Sequence, residues 1–274
     1  MIPATTAGLV IRLTPPVEDV AAALRKQLTG LGNELRMAVP RFKHLDADSA
    51  KTFRDLRIEG FTPSLRRRIE FHPSQVESVA LIDMDGRPAG VTFPTVERDR
   101  EWPELSGEYL SADETLRLWN PGAEIGSLMT APWAADTMRG AKPVFAVAHG
   151  GKSRIYVTVR DGDGGKYQVA LDGAEYGRML LANQHLAAAT GKAGRSGPLV
   201  LVSCQAADGS VARRAVEVLQ PELKRDIYAS RTYFDLIYDG ENALTVDQLP
   251  DGSSPLVKYE YPATGKSPRA GPSP

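Results

Sequence analysis

The sequence predicts an α/β fold built on a mostly parallel central sheet, with helices on both faces, β-hairpins and an N-terminal helical extension. Two apolar runs and the stretch between them carry that prediction. Val144–Ala148 (VFAVA) and residues 199–203 (LVLVS) are continuous apolar segments bounded by turn residues, the pattern of strands covered on both faces. Between them, Asp172 and Glu175 have capping-box spacing ahead of Tyr176, Met179, Leu180 and Leu186, and Gly191 closes the stretch. A helix-sized crossover of this kind makes the strands it joins parallel members of one sheet.

The other elements follow in order. Residues 1–65 read as the helical extension. Thr14 precedes Pro15 and Pro16, and Val17, Val20, Ala21, Leu24, Leu28 and Leu31 recur at helical spacing. Asp48 is placed to cap a second helix through Phe53 and Leu56. From Phe71 the character changes, and residues 66–262 read as the main domain. Val79–Ile82 and residues 91–93 flank a glycine-containing loop and predict a hairpin. Ser111 with Glu114 has capping-box spacing and predicts a short helix over Leu116 and Leu118. Residues 155–159 and 167–171 surround Asp-Gly-Asp-Gly-Gly at 161–165. An EF-hand would need glycine where Lys166 stands and a helix afterwards, so this run reads as a hairpin turn. Ser210 is placed to cap a helix over residues 211–219, residues 226–230 predict the next parallel strand, and residues 234–238 and 243–246 predict another hairpin. Trp102, Trp119 and Trp133 are irregularly spaced and read as core anchors. The tail, residues 263–274, is rich in Pro, Gly, Ser and charge and predicts disorder.

Composition sets the outer limits. The 274 residues, 42% of them hydrophobic, suffice for a substantial core. Lys and Arg number 33 against 34 acidic residues, a net charge of -1, which leaves no electrostatic footprint for nucleic acid. One cysteine excludes an internal disulfide framework and a Cys-rich zinc site. His44, His72 and His185 lack a second ligand at metal spacing, so no metal is expected. No apolar stretch has the length of a membrane span, and the first residues lack a signal-peptide pattern. The expectation is a soluble protein, compatible with the cytoplasm or with being a module of a larger secreted polypeptide.

The chemistry concentrates at the two strand ends. The first run closes on His149-Gly150-Gly151 and the second on Ser203-Cys204-Gln205, 55 positions later. Side chains at the carboxyl ends of parallel strands emerge at one edge, where α/β sheets collect their reactive groups. A lone cysteine at a strand end is ordinarily a small buried hydrophobe. A histidine at the matching end of a second strand shifts the reading towards catalysis, with the thiolate of Cys204 as nucleophile and His149 managing protons. Gly150-Gly151 supports two readings, a plain turn and a backbone brought close to a reacting group. No third catalytic member is assignable from the sequence.

At these residues the chain resembles the caspase-like cysteine peptidases: caspases, legumains, gingipains and the self-processing peptidase domains of large bacterial toxins. An apolar strand ending in His-Gly, a helix, and an apolar strand ending in a small residue and Cys are matched by His149-Gly150 and Ser203-Cys204. The match is nearer to the toxin-processing branch, because Ser203 replaces the caspase alanine and Ala206 stands where caspases keep glycine. The resemblance covers roughly residues 70–262.

It implies a caspase-like three-layer αβα sandwich and hydrolysis of peptide bonds through an acyl-enzyme. Backbone N–H groups of Gly150 and Cys204 would hold the oxyanion. Ser203, Ser230 and Arg231 would line the substrate side, with Arg231 placed to pair with an acidic side chain. The partner would be a peptide or protein, the chain's own polypeptide included, with release of a neighbouring domain as one use. Only about a turn follows Cys204 before the next predicted helix, so two-chain maturation there is not expected. No cofactor is required. Some of the toxin peptidases are switched on by an inositol phosphate, which Arg66-Arg67-Arg68 would have to hold, although so short a basic run is ordinarily solvated surface. The competing reading is a non-catalytic caspase-like module that binds peptides or other domains.

Overall fold

The computed structural model describes residues 55–97, 99, 114–119, 127–191, 194–237 and 243–262. The chain divides into two units, residues 1–55 and 56–274, and the elements below belong to the second. Its strands begin with β1 (Ile58–Thr62), β2 (Arg67–Phe71), β3 (Val79–Ile82), β4 (Pro88–Phe93), β5 (Thr115–Trp119), β6 (Ser127–Thr130) and β7 (Val144–Ala148). They continue with β8 (Ile155–Arg160), β9 (Lys166–Leu171), β10 (Leu199–Val202), β11 (Ile227–Ser230), β12 (Phe234–Ile237), β13 (Ala243–Asp247) and β14 (Leu256–Tyr259). The helices are α1 (Ala134–Met138), α2 (Gly173–Leu181), α3 (Gln184–Thr190) and α4 (Val211–Leu223).

Among the described residues the centre is a six-stranded sheet in the order β14-β11-β10-β7-β4-β3. Strands β4, β7, β10 and β11 are parallel, while β3 and β14 close the edges antiparallel. All four residues of β10 and of β11 are buried. Continuous burial is what an apolar run without alternation demands.

Side chains alternate between two cores. Val144, Ala146, Ala148, Leu199 and Leu201 point into one, covered by α2, α3 and α4 and by a four-stranded sheet in the order β2-β1-β9-β8. Phe145, Val200, Val202 and Tyr228 point into the other. There Trp133 packs edge-on against Phe145 and Tyr228, at ring-centroid distances of 6.2 and 5.4 Å. This second layer is built from short α1 and a sheet in the order β12-β13-β5-β6. The architecture is therefore α/β with mixed sheets, helical mainly on one face.

The structure departs from the sequence reading at several points. Ile58–Thr62, inside the stretch read as helical, is a strand paired to β2; the helices expected before it lie outside the described residues, as do the tail and Trp102. The helix expected after Ser111 and Glu114 is strand β5, pinned between β6 and β13. Leu116, Leu244 and Val246 are buried in one core, so tertiary pairing overrides the local capping pattern. The single long crossover helix is two, because Asn183 takes an extended backbone and its Oδ1 accepts the N–H groups of His185 and Leu186 to start α3. Asp172 caps α2 as expected, accepting from the N–H of Glu175 at 3.0 Å.

The predicted hairpins at β3–β4, β8–β9 and β12–β13 are present. In the turn at 161–165, Asp161 Oδ1 accepts the N–H groups of Asp163 and Gly165, an Asx arrangement that needs no cation. No helix among the described residues is long and apolar enough to cross a membrane.

Candidate active site

Three neighbouring parallel strands each deliver one polar group to the same edge. Strands β7 and β10 pair in the register Leu199↔Val144 to Val202↔Val147. Cys204 and His149 each lie two residues beyond the last pair, Val202↔Val147, past the ends of their strands. Phe145, Val147, Val200 and Val202 face one core, and the Cys204 thiol meets the carbonyl of Phe234, a residue of that same core. Strand β4, paired to β7 through Phe93↔Ala148, runs into the loop that carries Asp99.

Asp99 is the residue that sequence reasoning missed. Its carboxyl is almost wholly buried and its Oδ1 lies 3.0 Å from His149 Nε2. Its Oδ2 accepts the N–H groups of Thr95 at 2.7 Å and Val96 at 3.0 Å. Burial pushes this carboxyl up, but the Thr95 N–H, the imidazole and the Val96 N–H outweigh it and hold the group below the ordinary carboxylate value. A carboxylate only accepts, so the imidazole proton sits on Nε2 and Nδ1 becomes the nitrogen able to take another. The ring itself is 45% exposed. Fifty residues separate Asp99 from His149, and no local pattern around Thr95 marks it.

Cys204 stands at a sharp reversal. Strand β10 ends at Val202, Gln205 adopts a left-handed conformation (φ 52°, ψ 20°), and a short 3-10 turn, Ala206–Asp208, follows. The Gln205 N–H is anchored on the Thr232 carbonyl at 2.7 Å, which fixes the bend. The thiol is half-buried and donates to the Phe234 carbonyl at 3.5 Å. It is therefore not sealed among aliphatic side chains.

Gly150 has a structural requirement as well as a candidate chemical one. A Cβ there would sit 2.5 Å from Ile155 Cδ1 and 3.1 Å from the Arg154 carbonyl oxygen. Gly150 and Ile155 face each other in an antiparallel bridge whose hydrogen bonds run from Tyr156 N–H to the His149 carbonyl and from Gly151 N–H to the Arg154 carbonyl. Among the described residues, the backbone hydrogen bonds of this turn do not use the Gly150 N–H.

The expected substrate residues separate. Ser203 is buried, and its hydroxyl donates to the Ala148 carbonyl at 2.6 Å, tying the ends of β10 and β7 together. Ser230 is also buried, its hydroxyl accepting the Thr232 N–H at 2.9 Å. Both hydroxyls are engaged with main-chain groups inside the protein. Arg231 is exposed at the end of β11, next to β10, with its backbone N–H on the Pro255 carbonyl. Of the arginine run, Arg66 occupies a left-handed turn and Arg68 pairs with Glu59. Among the described residues no group of three or more His, Cys, Asp or Glu side chains could hold a metal ion. His72 instead caps a short turn, its Nδ1 accepting the Ser74 N–H.

No family model, curated protein or solved structure matches this chain. A half-exposed imidazole oriented by a buried carboxylate and a half-buried thiol on a fixed bend, at the ends of adjacent strands, are the group types that thiol-based acyl transfer uses.

Proposed function

We propose that the chain is a caspase-like cysteine endopeptidase that cleaves a peptide or protein partner, its own polypeptide included. The observation that supports this reading most is the position of His149 and Cys204 just past the carboxyl ends of two paired parallel strands, with His149 held by the buried Asp99. In the proposed reaction Nδ1 of His149 takes the Cys204 proton, and the thiolate attacks the scissile carbonyl to give a tetrahedral oxyanion. The N–H groups of Gly150 and Cys204 stabilise that oxyanion. The imidazolium then protonates the leaving amine and water hydrolyses the thioester, regenerating the thiol. Asp99 does not touch substrate. It positions the ring and stabilises its charged form, extending the proposed His-Cys pair by an orienting group.

Peptide-library cleavage by the full chain, compared with Cys204→Ala and His149→Ala, tests the reading. Loss of cleavage in both variants, together with His149-dependent labelling of Cys204 by an electrophilic probe, is the expected result. Intact cleavage in Cys204→Ala would remove the nucleophile. No cleavage in wild type and an inert thiol would favour a non-catalytic peptide-binding module. Mass spectrometry of the purified chain over time locates any self-cut and tests the autoprocessing part of the proposal.

A further inference from the structure

The loops that carry His149 and Cys204 meet a second time, away from the reacting atoms. Three residues past the histidine, the Lys152 carbonyl accepts the N–H groups of Ser210 at 3.0 Å and Val211 at 3.4 Å. Those are the first amides of α4, the helix entered directly from the cysteine bend. Ser210, expected from sequence to cap that helix, makes no side-chain cap bond, and the carbonyl from the histidine loop does the work instead. The approach is close enough to dictate composition: a Cβ at position 209 would lie 2.1 Å from the Lys152 oxygen and 2.7 Å from its carbonyl carbon. Glycine is required there by contact and not by backbone conformation.

The side chains repeat the junction. Lys152 Nζ lies 2.5 Å from Asp208 Oδ2, with the two side chains 57% and 44% exposed. The Asp208 carboxylate, by its hydrogen bond and its charge, raises the Lys152 ammonium above its usual value. An exposed ion pair alone is weak. This one spans two segments already joined through main chain, each within four residues of a proposed reacting group. A shift of about 1 Å between such groups is enough to slow a reaction roughly a hundredfold.

We propose that Lys152 and Asp208 are positioning residues, a clasp that sets the separation of the His149 and Cys204 loops. The proposal rests on the peptidase reading for its role in turnover, while the clasp itself can be read from thiol reactivity without any substrate.

The experiment uses the full chain as wild type, Lys152→Met, Asp208→Asn and the charge-exchanged double variant Lys152→Asp/Asp208→Lys. It measures kcat and KM for peptide hydrolysis and the pH profile of Cys204 alkylation by iodoacetamide, with circular dichroism to verify folding. Each single variant is expected to lose about twofold to fivefold in kcat with KM unchanged. Alkylation at neutral pH should fall by a similar factor as the imidazole loop shifts relative to the thiol. The double variant should recover most of both losses. Wild type in about 1 M salt should mimic the single variants, because screening weakens the pair without any substitution. Wild-type kinetics in folded single variants, or a folded double variant no better than the singles, would overturn the clasp. If wild type hydrolyses no peptide, the peptidase reading fails separately, and the alkylation profiles still decide whether Lys152 and Asp208 govern the thiol's surroundings.

Discussion

Two buried aspartates stand at opposite ends of the parallel strands, and they are built from the same parts. Asp83, at the amino-terminal edge beside the start of β4, accepts the N–H groups of Asp85 and Arg87 on one oxygen and Arg195 on the other at 3.0 Å. Asp99, at the carboxyl edge, accepts Thr95 and Val96 on one oxygen and His149 on the other at 3.0 Å. For both, burial acts to raise the carboxyl and the surrounding donors more than reverse it. The difference lies in the partner. Arg195 is as buried as Asp83, at 5% exposure, and spends another donor on the Pro143 carbonyl at 2.8 Å. His149 is 45% exposed. One pair closes on itself; the other sets a buried carboxylate against a ring that faces solvent. A buried carboxylate therefore says little about function until the exposure and chemistry of its partner are known.

The comparison is most easily broken at Asp99. Asp99→Asn keeps size and shape but offers an amide to Nε2, which favours a proton on Nδ1 and removes the nitrogen assigned as base. The expected loss in kcat is up to about ten-thousandfold, the drop known where the orienting aspartate of a serine-protease triad is so replaced. Activity near wild type would reduce Asp99 to a loop fastener like its counterpart. Asp83→Asn should do the reverse. Removing one partner of a buried pair costs about 3–5 kcal/mol, read as a lowered urea midpoint. The rate of Cys204 alkylation per folded molecule should be unchanged, and a fall in that rate would mean that the two edges are coupled.

The two edges were unequally legible. The parallel order of β7, β10 and β11 could be read from residues 144–148, 199–203 and 226–230, because strands buried on both faces write continuous apolar runs. His149 and Cys204 were visible for the same reason: each ends such a run. Asp99 was not, since it acts across fifty residues of chain and sits in a loop with no periodicity. Strand β5 was misread because Ser111 and Glu114 mimic a helix start, while the cross-strand partners that decide its conformation, on β6 and β13, are distant in sequence. Ser203 and Ser230 were given substrate roles from their place at strand ends. That place does not reveal whether a hydroxyl points outward or, as here, across to a neighbouring main chain.

Acid sharpens the comparison with a smaller effect. A carboxyl whose folded pKa lies below its unfolded value binds fewer protons when folded, so stability rises with pH across that interval. For Asp83 and Asp99 the contribution is complete above the ordinary value of 3.8 and is lost as pH falls through the depressed folded values. Urea midpoints measured from pH 6 down to about pH 3 should therefore decline in wild type. The decline should be shallower in Asp83→Asn and in Asp99→Asn. An unaltered slope in either variant would show that its carboxyl is not a source of the acid sensitivity.

The smallest expected effect concerns the seam between β7 and β10. Ser203 sits one residue before the proposed nucleophile, and its hydroxyl is bonded to the carbonyl one residue before His149. Ser203→Ala deletes the donor and leaves a buried acceptor without that bond, at a cost of about 1–3 kcal/mol. The urea midpoint should fall accordingly. Cleavage preference across a peptide library should stay as in wild type, because the hydroxyl is engaged with the Ala148 carbonyl. The reverse pattern, unchanged stability with an altered preference, would mean that the hydroxyl turns outward when substrate binds. In that case the register of β7 and β10 would rest on their ladder and core packing alone, and the substrate role expected from sequence would return to Ser203.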